Sequence, residues 1–239
     1  MLYQMEGCSV SAPGHIKAAV FDLDGTLIDS APDLHATANK LMAEMQLPEI
    51  NLGIITSFIG NGIPMLVRRA LEHNKASTEA EALDKAVKRF MAIYAQAPAE
   101  NTIVYPGVLE AMKAFRAAGV RLGVCTNKAE SLSRAVLDEL GLAEFFEVVI
   151  GGDTLSTRKP DPTGLLQAVG QLGADTHSAL YIGDSEVDAE TAKKADLRFA
   201  LFKRGYRKAP ISELRHWQSF DDMRELTASI GLSEVVQAG

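Results

Sequence analysis

Residues 17–26 have the sequence KAAVFDLDGT, in which a short apolar run leads directly into two carboxylates, a glycine and a threonine. An apolar run of this length, bounded by polar and turn-forming residues, is typical of a buried strand in a parallel sheet. We therefore expect a strand over residues 17–23, ending beside Asp22 and Asp24. Gly25 allows the backbone to turn sharply after this strand.

Similar apolar runs recur along the chain and alternate with helical patterns. Further strands are expected at 120–125, 145–150, 179–182 and 197–202, and helices at 108–118, 129–140 and 162–172. Strands that alternate with helices form right-handed βαβ units. The sequence therefore predicts an α/β fold with a doubly wound parallel sheet.

The interval 30–102 interrupts this alternation. Its apolar residues recur at helical spacing, first at Leu34, Ala38, Leu41, Met42 and Met45 and then over 63–73 and 79–95. A crossover between parallel strands needs only about a dozen residues, so an inserted helical domain is the better explanation. We predict an α/β core at 16–29 and 103–239, a helical cap domain at 30–102, hinges near 29–33 and 98–105, and a loose extension at 1–15.

The net charge and the cysteine content limit the cellular compartments and the classes of binding partner that we expect. The 239-residue chain has a formal net charge of −7, which repels nucleic acid and anionic membranes. No apolar run approaches the about 18 residues that span a bilayer, and residues 1–15 lack the features of a signal peptide. Cys8 and Cys125 form no disulfide framework. We expect a cytoplasmic monomer or homodimer with no nucleic-acid or membrane partner.

Asp22 and Asp24 place two carboxylates, one residue apart, at the end of the first predicted strand. Ligands of a doubly wound sheet bind beyond the carboxyl ends of the strands. Carboxylates this close are unfavourable unless a cation shares the site, and the Thr26 hydroxyl would stand near any phosphate. The alternative is a plain polar turn, in which Asp and Gly are common.

The later predicted strands end in side chains that suit the same chemistry. The second leads into Thr126 and Asn127, the third through a loop to Lys159, and the fourth into Asp184. Because these strand ends share one edge of the sheet, we interpret them together as a phosphate and divalent-metal site.

Some residues of this set also have local explanations. Asn127 with Glu130, and Ser185 with Asp188, match helix N-terminal capping patterns. Similarly, residue 161 could cap a helix that begins with a proline. Lys159 and Asp184 have no such local explanation.

The motifs DLDGT (22–26), TN (126–127), KPDP (159–162) and GDSEVD (183–188) together resemble those of the haloacid dehalogenase superfamily, in its phosphatase branch. The resemblance covers about 16–230, and the helical insert after the first motif is similar to the superfamily's C1-type cap. An acid at position 24 favours phosphoester hydrolysis over dehalogenation.

The resemblance implies roles for the acidic residues. Asp22 would be the nucleophile that carries an aspartyl-phosphate, and Asp24 the general acid and base. A Mg²⁺ ion would be held by Asp22, by the backbone carbonyl of Asp24 and by Asp184. Asp188 would steady the metal shell or Lys159.

The resemblance also implies how phosphate is bound. Thr126 and Lys159 would contact the phosphate oxygens, and Lys159 would offset the carboxylates. Thr26 and Asn127 complete the expected phosphate-binding set. The expected partner is a small phosphorylated metabolite.

Substrate selectivity is expected to come from the cap. Gly60-Asn61-Gly62 precedes a helix that carries Arg68 and Arg69. Amides at a helix N-terminus and a nearby Arg can receive a small carboxylate, so Asn61, Gly62 and Arg68 are candidate substrate-binding residues. The alternative is an interhelical turn followed by a solvated helix face.

The stretches IGNGIPMLVRRAL and FKRGYRK are similar to those of superfamily members that hydrolyse 2-phosphoglycolate, which the resemblance implies as the substrate. Other activities remain open: hydrolysis of another small sugar phosphate, a phosphomutase or a pyrophosphatase. A non-catalytic binding protein is the alternative from a different class.

Overall fold

A parallel β-sheet forms the centre of the computed structural model, which describes residues 16–232. The strands are β1 (Ala18–Phe21), β2 (Ile28–Asp29), β3 (Ile103–Val104), β4 (Arg121–Cys125), β5 (Val148–Ile150), β6 (Ala179–Gly183), β7 (Arg198–Phe202) and β8 (Gln218–Phe220). Six of them form the sheet in the order β5-β4-β1-β6-β7-β8, and every neighbouring pair is parallel. The predicted α/β class with a parallel sheet is confirmed.

Helices cover both faces of this sheet. The helices are α1 (Ala31–Glu44), α2 (Leu52–Thr56), α3 (Ile63–His73), α4 (Ala80–Tyr94), α5 (Val108–Ala117), α6 (Glu130–Glu139), α7 (Thr163–Gln171), α8 (Glu186–Lys194) and α9 (Met223–Ser229). Alternate residues of a strand point to opposite faces. Ala19 and Phe21 accordingly join a core cluster with α5, α6 and α9, whereas Ala18 and Val20 join one with α7 and α8.

Three features of the sheet differ from the sequence-based expectation. The first strand, expected at 17–23, is confined to Ala18–Phe21. The strand expected at 145–150 is shorter, because Ala143–Phe145 forms a 3₁₀ turn that buries Phe145 before Val148–Ile150 joins the sheet. Strand β8 was not predicted, since three residues with two polar side chains carry little periodic signal.

Helices α1–α4 form a helical unit with its own apolar core. Leu34, Met42, Val67, Phe90 and Tyr94 are among its buried residues. No strand interrupts the described residues between β2 and β3, as the helical periodicity of this interval predicted.

A short antiparallel ribbon joins the helical unit to the sheet. Strands β2 and β3 pair with Asp29 opposite Ile103. Next to the ribbon, the buried Asp33 carboxylate accepts hydrogen bonds from the Asn101 backbone N–H, at 2.9 Å, and from the Thr102 hydroxyl, at 2.6 Å. These bonds fasten the start of α1 to the returning chain.

Two expectations concern other parts of the chain. Within residues 16–232, none of the helices combines the length and the apolar character that crossing a bilayer requires.

The predicted extension at 1–15, with Cys8, lies outside the described residues. Cys125 is buried and free of a disulfide, and burial raises the pKa of its thiol to about 12.

Candidate active site

The carboxyl ends of the central strands carry the polar residues that the motifs single out. Asp22 directly follows β1, Thr126 follows β4, and Asp184 follows β6. Strands β4 and β6 flank β1 in the sheet, so these residues meet at one edge. The order of the strands thus assembles in space what is spread over more than 160 residues of sequence.

Asp22 lies buried against a cation. Its Oδ1 atom is 2.9 Å from Nζ of Lys159. Burial raises the pKa of Asp22 to about 6, and the positive charge of Lys159 limits that rise. The lysine therefore favours the ionised form of a carboxylate that its surroundings would otherwise keep protonated.

Lys159 is itself held by a buried polar network. Its Nζ atom lies 2.6 Å from Oδ1 of Asp188 and 2.9 Å from the Tyr181 hydroxyl, which in turn donates to Asp188 at 2.7 Å. Burial opposes ionisation of Asp188, yet the charge of Lys159 outweighs it and lowers the pKa of Asp188. The network fixes the Lys159 ammonium group in front of Asp22.

Asp188 also completes the capping box that its sequence pattern predicted. Its second oxygen accepts from the backbone N–H of Ser185, at 3.1 Å, and from the Ser185 hydroxyl, at 2.6 Å. Both oxygens are therefore already engaged with protein donors. Of the two roles expected for Asp188, this geometry favours steadying Lys159.

Asp184 lies beside Asp22 and is oriented by two donors. Oδ1 accepts from the Thr26 hydroxyl at 2.9 Å, and Oδ2 accepts from the backbone N–H of Tyr206 at 2.6 Å. Burial and the charges of Asp188 and Asp22 raise the pKa of Asp184 well above its usual range. Thr26 is fully buried and turned toward Asp184, so its hydroxyl orients a carboxylate instead of facing a phosphate as we expected.

The carboxylates of Asp22, Asp184 and Asp188 form a group that could hold a metal ion. Each offers an oxygen within 4.8 Å of the others, and all three residues are buried. Hard divalent cations prefer such oxygen ligands. A cation there would also offset the burial and the mutual repulsion that raise the pKa values of Asp22 and Asp184. The donor set therefore fits a divalent cation.

Asn127 connects the sheet edge to the helical unit. Its side-chain amide donates to the Gly60 carbonyl oxygen at 2.9 Å and to the Lys159 carbonyl oxygen at 3.1 Å. The helix-capping alternative for Asn127 is not realised, because Asp153 accepts from the Glu130 backbone N–H at 2.7 Å in its place. Asp161 accepts a 2.9 Å bond from the Thr163 backbone N–H, although the helix begins at Thr163 and Pro162 occupies its N-cap position.

A cleft lies between this sheet edge and the helical unit. Its polar wall is formed by residues of the sheet edge: Asp22, Asp24, Thr126, Asn127 and Lys128. Its opposite wall is apolar and comes from the helical unit: Leu34, Ile59, Gly60, Gly62, Ile63 and Leu66. The expected nucleophile and the expected general acid thus open onto the same cleft.

Two residues around Asp24 were not anticipated from the sequence. The Ser30 hydroxyl donates to Asp24 Oδ1 at 2.6 Å, and Nζ of Lys128 lies 3.0 Å from the same oxygen. Lys128 also donates to the Tyr94 hydroxyl at 2.7 Å. Burial disfavours the charged amine, but Asp24 outweighs it and raises the pKa of Lys128. The sequence signal that could have identified Lys128 is its position directly after Thr126-Asn127, at a strand end.

The loop at Gly60–Gly62 differs in part from the predicted carboxylate site. Gly62 lines the cleft, whereas Asn61 and Arg68 do not. Arg69 braces the loop instead, donating to the Phe58 carbonyl oxygen at 2.9 Å and to Asn61 Oδ1 at 2.8 Å. The helix periodicity placed both arginines on α3 but did not show which one turns toward the loop.

The sheet order, the four motif segments at one edge and the helical unit above them define the class of protein. The chain belongs to the haloacid dehalogenase-like hydrolases, whose family model matches residues 19–202. It is therefore an enzyme of the hydrolase class, as the motifs predicted.

Individual relatives narrow this class further. The chain is 49% identical over 211 residues to a phosphoglycolate phosphatase of Cereibacter sphaeroides (strain ATCC 17029), a match that covers 88% of this chain and 96% of the relative. It is 40% identical over 222 residues to a phosphoglycolate phosphatase of Rhodospirillum rubrum, covering 91% and 92% of the two chains.

The fold of this chain also matches a solved structure of a similar protein. The crystal structure of a predicted phosphoglycolate phosphatase from Haemophilus somnus 129pt superimposes with a TM-score of 0.84 at 28% identity, covering 89% of this chain and 97% of the other.

Proposed function

We propose that this protein is a Mg²⁺-dependent phosphomonoester hydrolase that acts through an aspartyl-phosphate at Asp22, with 2-phosphoglycolate as its substrate. The observation that carries the proposal is the Asp22–Lys159 ion pair of 2.9 Å, in which Asp22 lines the cleft, with Asp184 beside Asp22. An ionised, positioned carboxylate beside a fixed cation is what nucleophilic attack on a phosphate ester requires.

In the first half of the reaction, Asp22 forms the covalent intermediate. A carboxylate oxygen of Asp22 attacks phosphorus and the bond from phosphorus to the ester oxygen breaks. Asp24 donates its proton to the leaving oxygen, which departs as an alcohol. Lys159 and Thr126 hold the phosphate oxygens while charge develops on them.

In the second half, water releases the phosphate. Asp24, now ionised, takes a proton from a water molecule whose oxygen attacks phosphorus, and the bond to Asp22 breaks. Inorganic phosphate leaves, and both aspartates return to their starting protonation states. A Mg²⁺ ion bound by Asp22, Asp184 and the Asp24 carbonyl would neutralise charge on the transferring group. Asp188 acts by holding Lys159.

We also propose that residues 30–102 act as a cap domain. The helical unit supplies the apolar wall of the cleft and contacts the sheet edge through the bond between Asn127 and Gly60. A closed cap shields a phosphoenzyme from unproductive water until hydrolysis.

The choice of 2-phosphoglycolate draws support from the relatives that carry phosphoglycolate phosphatase as their name. Three alternatives keep the same chemistry: another small sugar phosphate, a phosphomutase or a pyrophosphatase. The non-catalytic alternative is disfavoured because Asp22, Asp24, Lys159 and Asp184 all converge on one site.

Phosphate release from a panel of phosphorylated metabolites, with Mg²⁺ and with chelator, tests this proposal. We expect Mg²⁺-dependent release that is fastest with 2-phosphoglycolate. Broad, slow release would retain the phosphatase and reject the substrate. Transfer of phosphate between positions of one substrate would indicate a mutase, and no release with any ester would favour the binding protein.

A further inference from the structure

The cleft contains a buried lysine that the reaction described above does not use. The Lys128 side chain is 2% exposed, and its Nζ atom contacts Asp24 at 3.0 Å and the Tyr94 hydroxyl at 2.7 Å. Tyr94 belongs to α4 of the helical unit, whereas Lys128 follows β4 of the sheet. The ammonium group therefore sits where the two parts of the molecule meet.

An ammonium group has three N–H donors. Within residues 16–232, Nζ makes three such bonds: to Oδ1 of Asp24 at 3.0 Å, to Oδ2 of Asp24 at 3.4 Å and to the Tyr94 hydroxyl at 2.7 Å. Burying a lysine is costly unless its hydrogen bonds are satisfied. The 3.4 Å bond is the longest of the three, so it is the one that a carboxylate of a bound ligand would replace.

Lys128 is also the one cationic side chain among the described residues that line the cleft. Lys159 is not part of the cleft lining, and its ammonium group contacts Asp22, Asp188 and Tyr181. The opposite wall is apolar, with Leu34, Ile59, Ile63 and Leu66. An anionic group of a bound ligand, other than its phosphate, therefore has one charged partner in the cleft.

The position of Asp24 determines which part of a substrate Lys128 would contact. In the proposed reaction Asp24 protonates the leaving oxygen, so the leaving alcohol lies next to Asp24. In a 2-phosphoacid, the carboxylate oxygens lie about 3 Å from the ester oxygen, given ordinary bond lengths of about 1.5 Å. Nζ of Lys128 lies 3.0 Å from Oδ1 of Asp24, so it is the cation next to the position of the leaving alcohol.

We propose that Lys128 binds the carboxylate of the leaving group and makes the enzyme selective for phosphate esters of 2-hydroxy acids. This inference rests on the proposed phosphatase function and names the residue that reads its substrate. It assigns to Lys128 the role for which the loop at Gly60–Gly62 and Arg68 were candidates. Tyr94 holds the ammonium group in place from the helical unit.

The test compares two esters of the same length, 2-phosphoglycolate and ethyl phosphate, which lacks the carboxylate. Charge-assisted hydrogen bonds support discrimination of about ten- to a hundredfold. In Lys128→Gln we expect kcat/KM for 2-phosphoglycolate to fall by about that factor and kcat/KM for ethyl phosphate to change far less. Arg68→Gln is the matched control and should leave the ratio of the two values unchanged.

Three outcomes would overturn the inference. If Lys128→Gln lowers kcat/KM equally for both esters, Lys128 acts only by positioning Asp24. If Arg68→Gln alone changes the ratio, the carboxylate is read from α3. If the wild-type enzyme releases no phosphate from 2-phosphoglycolate, the proposed substrate is wrong and the inference is wrong with it. If the wild-type enzyme does release phosphate but Lys128→Gln leaves the ratio of the two kcat/KM values unchanged, only the inference is wrong and the proposed phosphatase function stands.

A second measurement does not depend on the folding of the Lys128 variant. Asp22→Asn enzyme, soaked with 2-phosphoglycolate and Mg²⁺ as crystals, should show the substrate carboxylate within about 3 Å of Nζ of Lys128. A carboxylate placed elsewhere in the cleft would refute the assignment.

Discussion

The backbone N–H of Tyr206 donates a 2.6 Å hydrogen bond to Oδ2 of Asp184. The side chain of the same tyrosine reaches the start of the helical unit, where its hydroxyl accepts from the backbone N–H groups of Ser30, at 2.8 Å, and Ala31, at 3.0 Å, and donates to Asp29 at 2.7 Å. One residue thus connects a candidate metal ligand to the point where the chain enters the helical unit.

Tyr206→Phe separates these two connections, because only the hydroxyl is removed. The Ser30 backbone N–H loses its acceptor, whereas that of Ala31 keeps Asp29 Oδ1 at 3.2 Å. We expect this to cost about 1–3 kcal/mol in the free energy of unfolding. KM for the substrate should rise as the entry to the helical unit loosens. Mg²⁺ affinity should not change, since the bond to Asp184 comes from the backbone. Denaturant unfolding measures the free energy of unfolding, steady-state kinetics measure KM, and Mg²⁺ titration measures the affinity for the ion. A loss of Mg²⁺ affinity would contradict this account.

Asp22→Asn should abolish turnover while the protein stays folded. An amide cannot form the aspartyl-phosphate, whereas its shape and burial match those of the carboxylate. Phosphate release and circular dichroism on the same sample check both halves of the prediction. Normal activity in a folded Asp22→Asn enzyme would rule out the mechanism.

The stability of the metal-free enzyme should fall as the pH rises. The folded state holds the Asp22 proton up to about pH 6, whereas an unfolded chain releases it near 3.8. Between these values the folded state binds more protons, so the free energy of unfolding declines as pH increases, by on the order of 2–3 kcal/mol for this group. The raised pKa of Asp184 acts in the same direction.

Urea unfolding in chelator across this pH window measures the effect. Asp22→Asn provides the control, because it should reduce the decline and stabilise the metal-free protein above about pH 6. With saturating Mg²⁺ the decline should weaken or reverse, since the ion binds the ionised carboxylates. Stability that increases with pH in chelator would show that the carboxylates are not held as described.

Two glycines of one loop allow closure of the helical unit to be tested. Gly60 and Gly62 both have positive φ, 111° and 82°. A Cβ atom on Gly62 would lie 2.9 Å from the Asn127 carbonyl oxygen, whereas one on Gly60 would meet nothing within 4 Å. Gly62→Ala should therefore lower kcat/KM by about ten- to a hundredfold through misplaced closure. Gly60→Ala shares the backbone strain without the clash and should lose far less activity.

The location of the site could be predicted because it follows from sheet topology. Each motif stands at the end of an apolar run, and parallel strands bring their carboxyl ends to one edge. Asp22, Lys159 and Asp184 were found in this way, and the structure places them together. Helix α3 was predicted at its observed bounds, because its apolar residues keep a helical period throughout.

Contacts between the helical unit and the sheet could not be predicted. The partners Lys128 and Tyr94 lie 34 residues apart, and no local pattern pairs them. Helix periodicity gives the buried face of α4 but not the group that this face meets. The same limit explains why the Asn127 amide binds Gly60 and Lys159 when its local pattern favoured a cap.

The β2–β3 ribbon described above sets how the chain could change over evolutionary time. Because Asp29 and Ile103 are directly opposed, the chain leaves and returns at points about 5 Å apart. An insertion whose ends lie so close leaves the strand order untouched, whatever its length. Different helical segments could therefore be inserted between these two positions, changing the apolar wall of the cleft while the residues at the sheet edge are inherited unaltered.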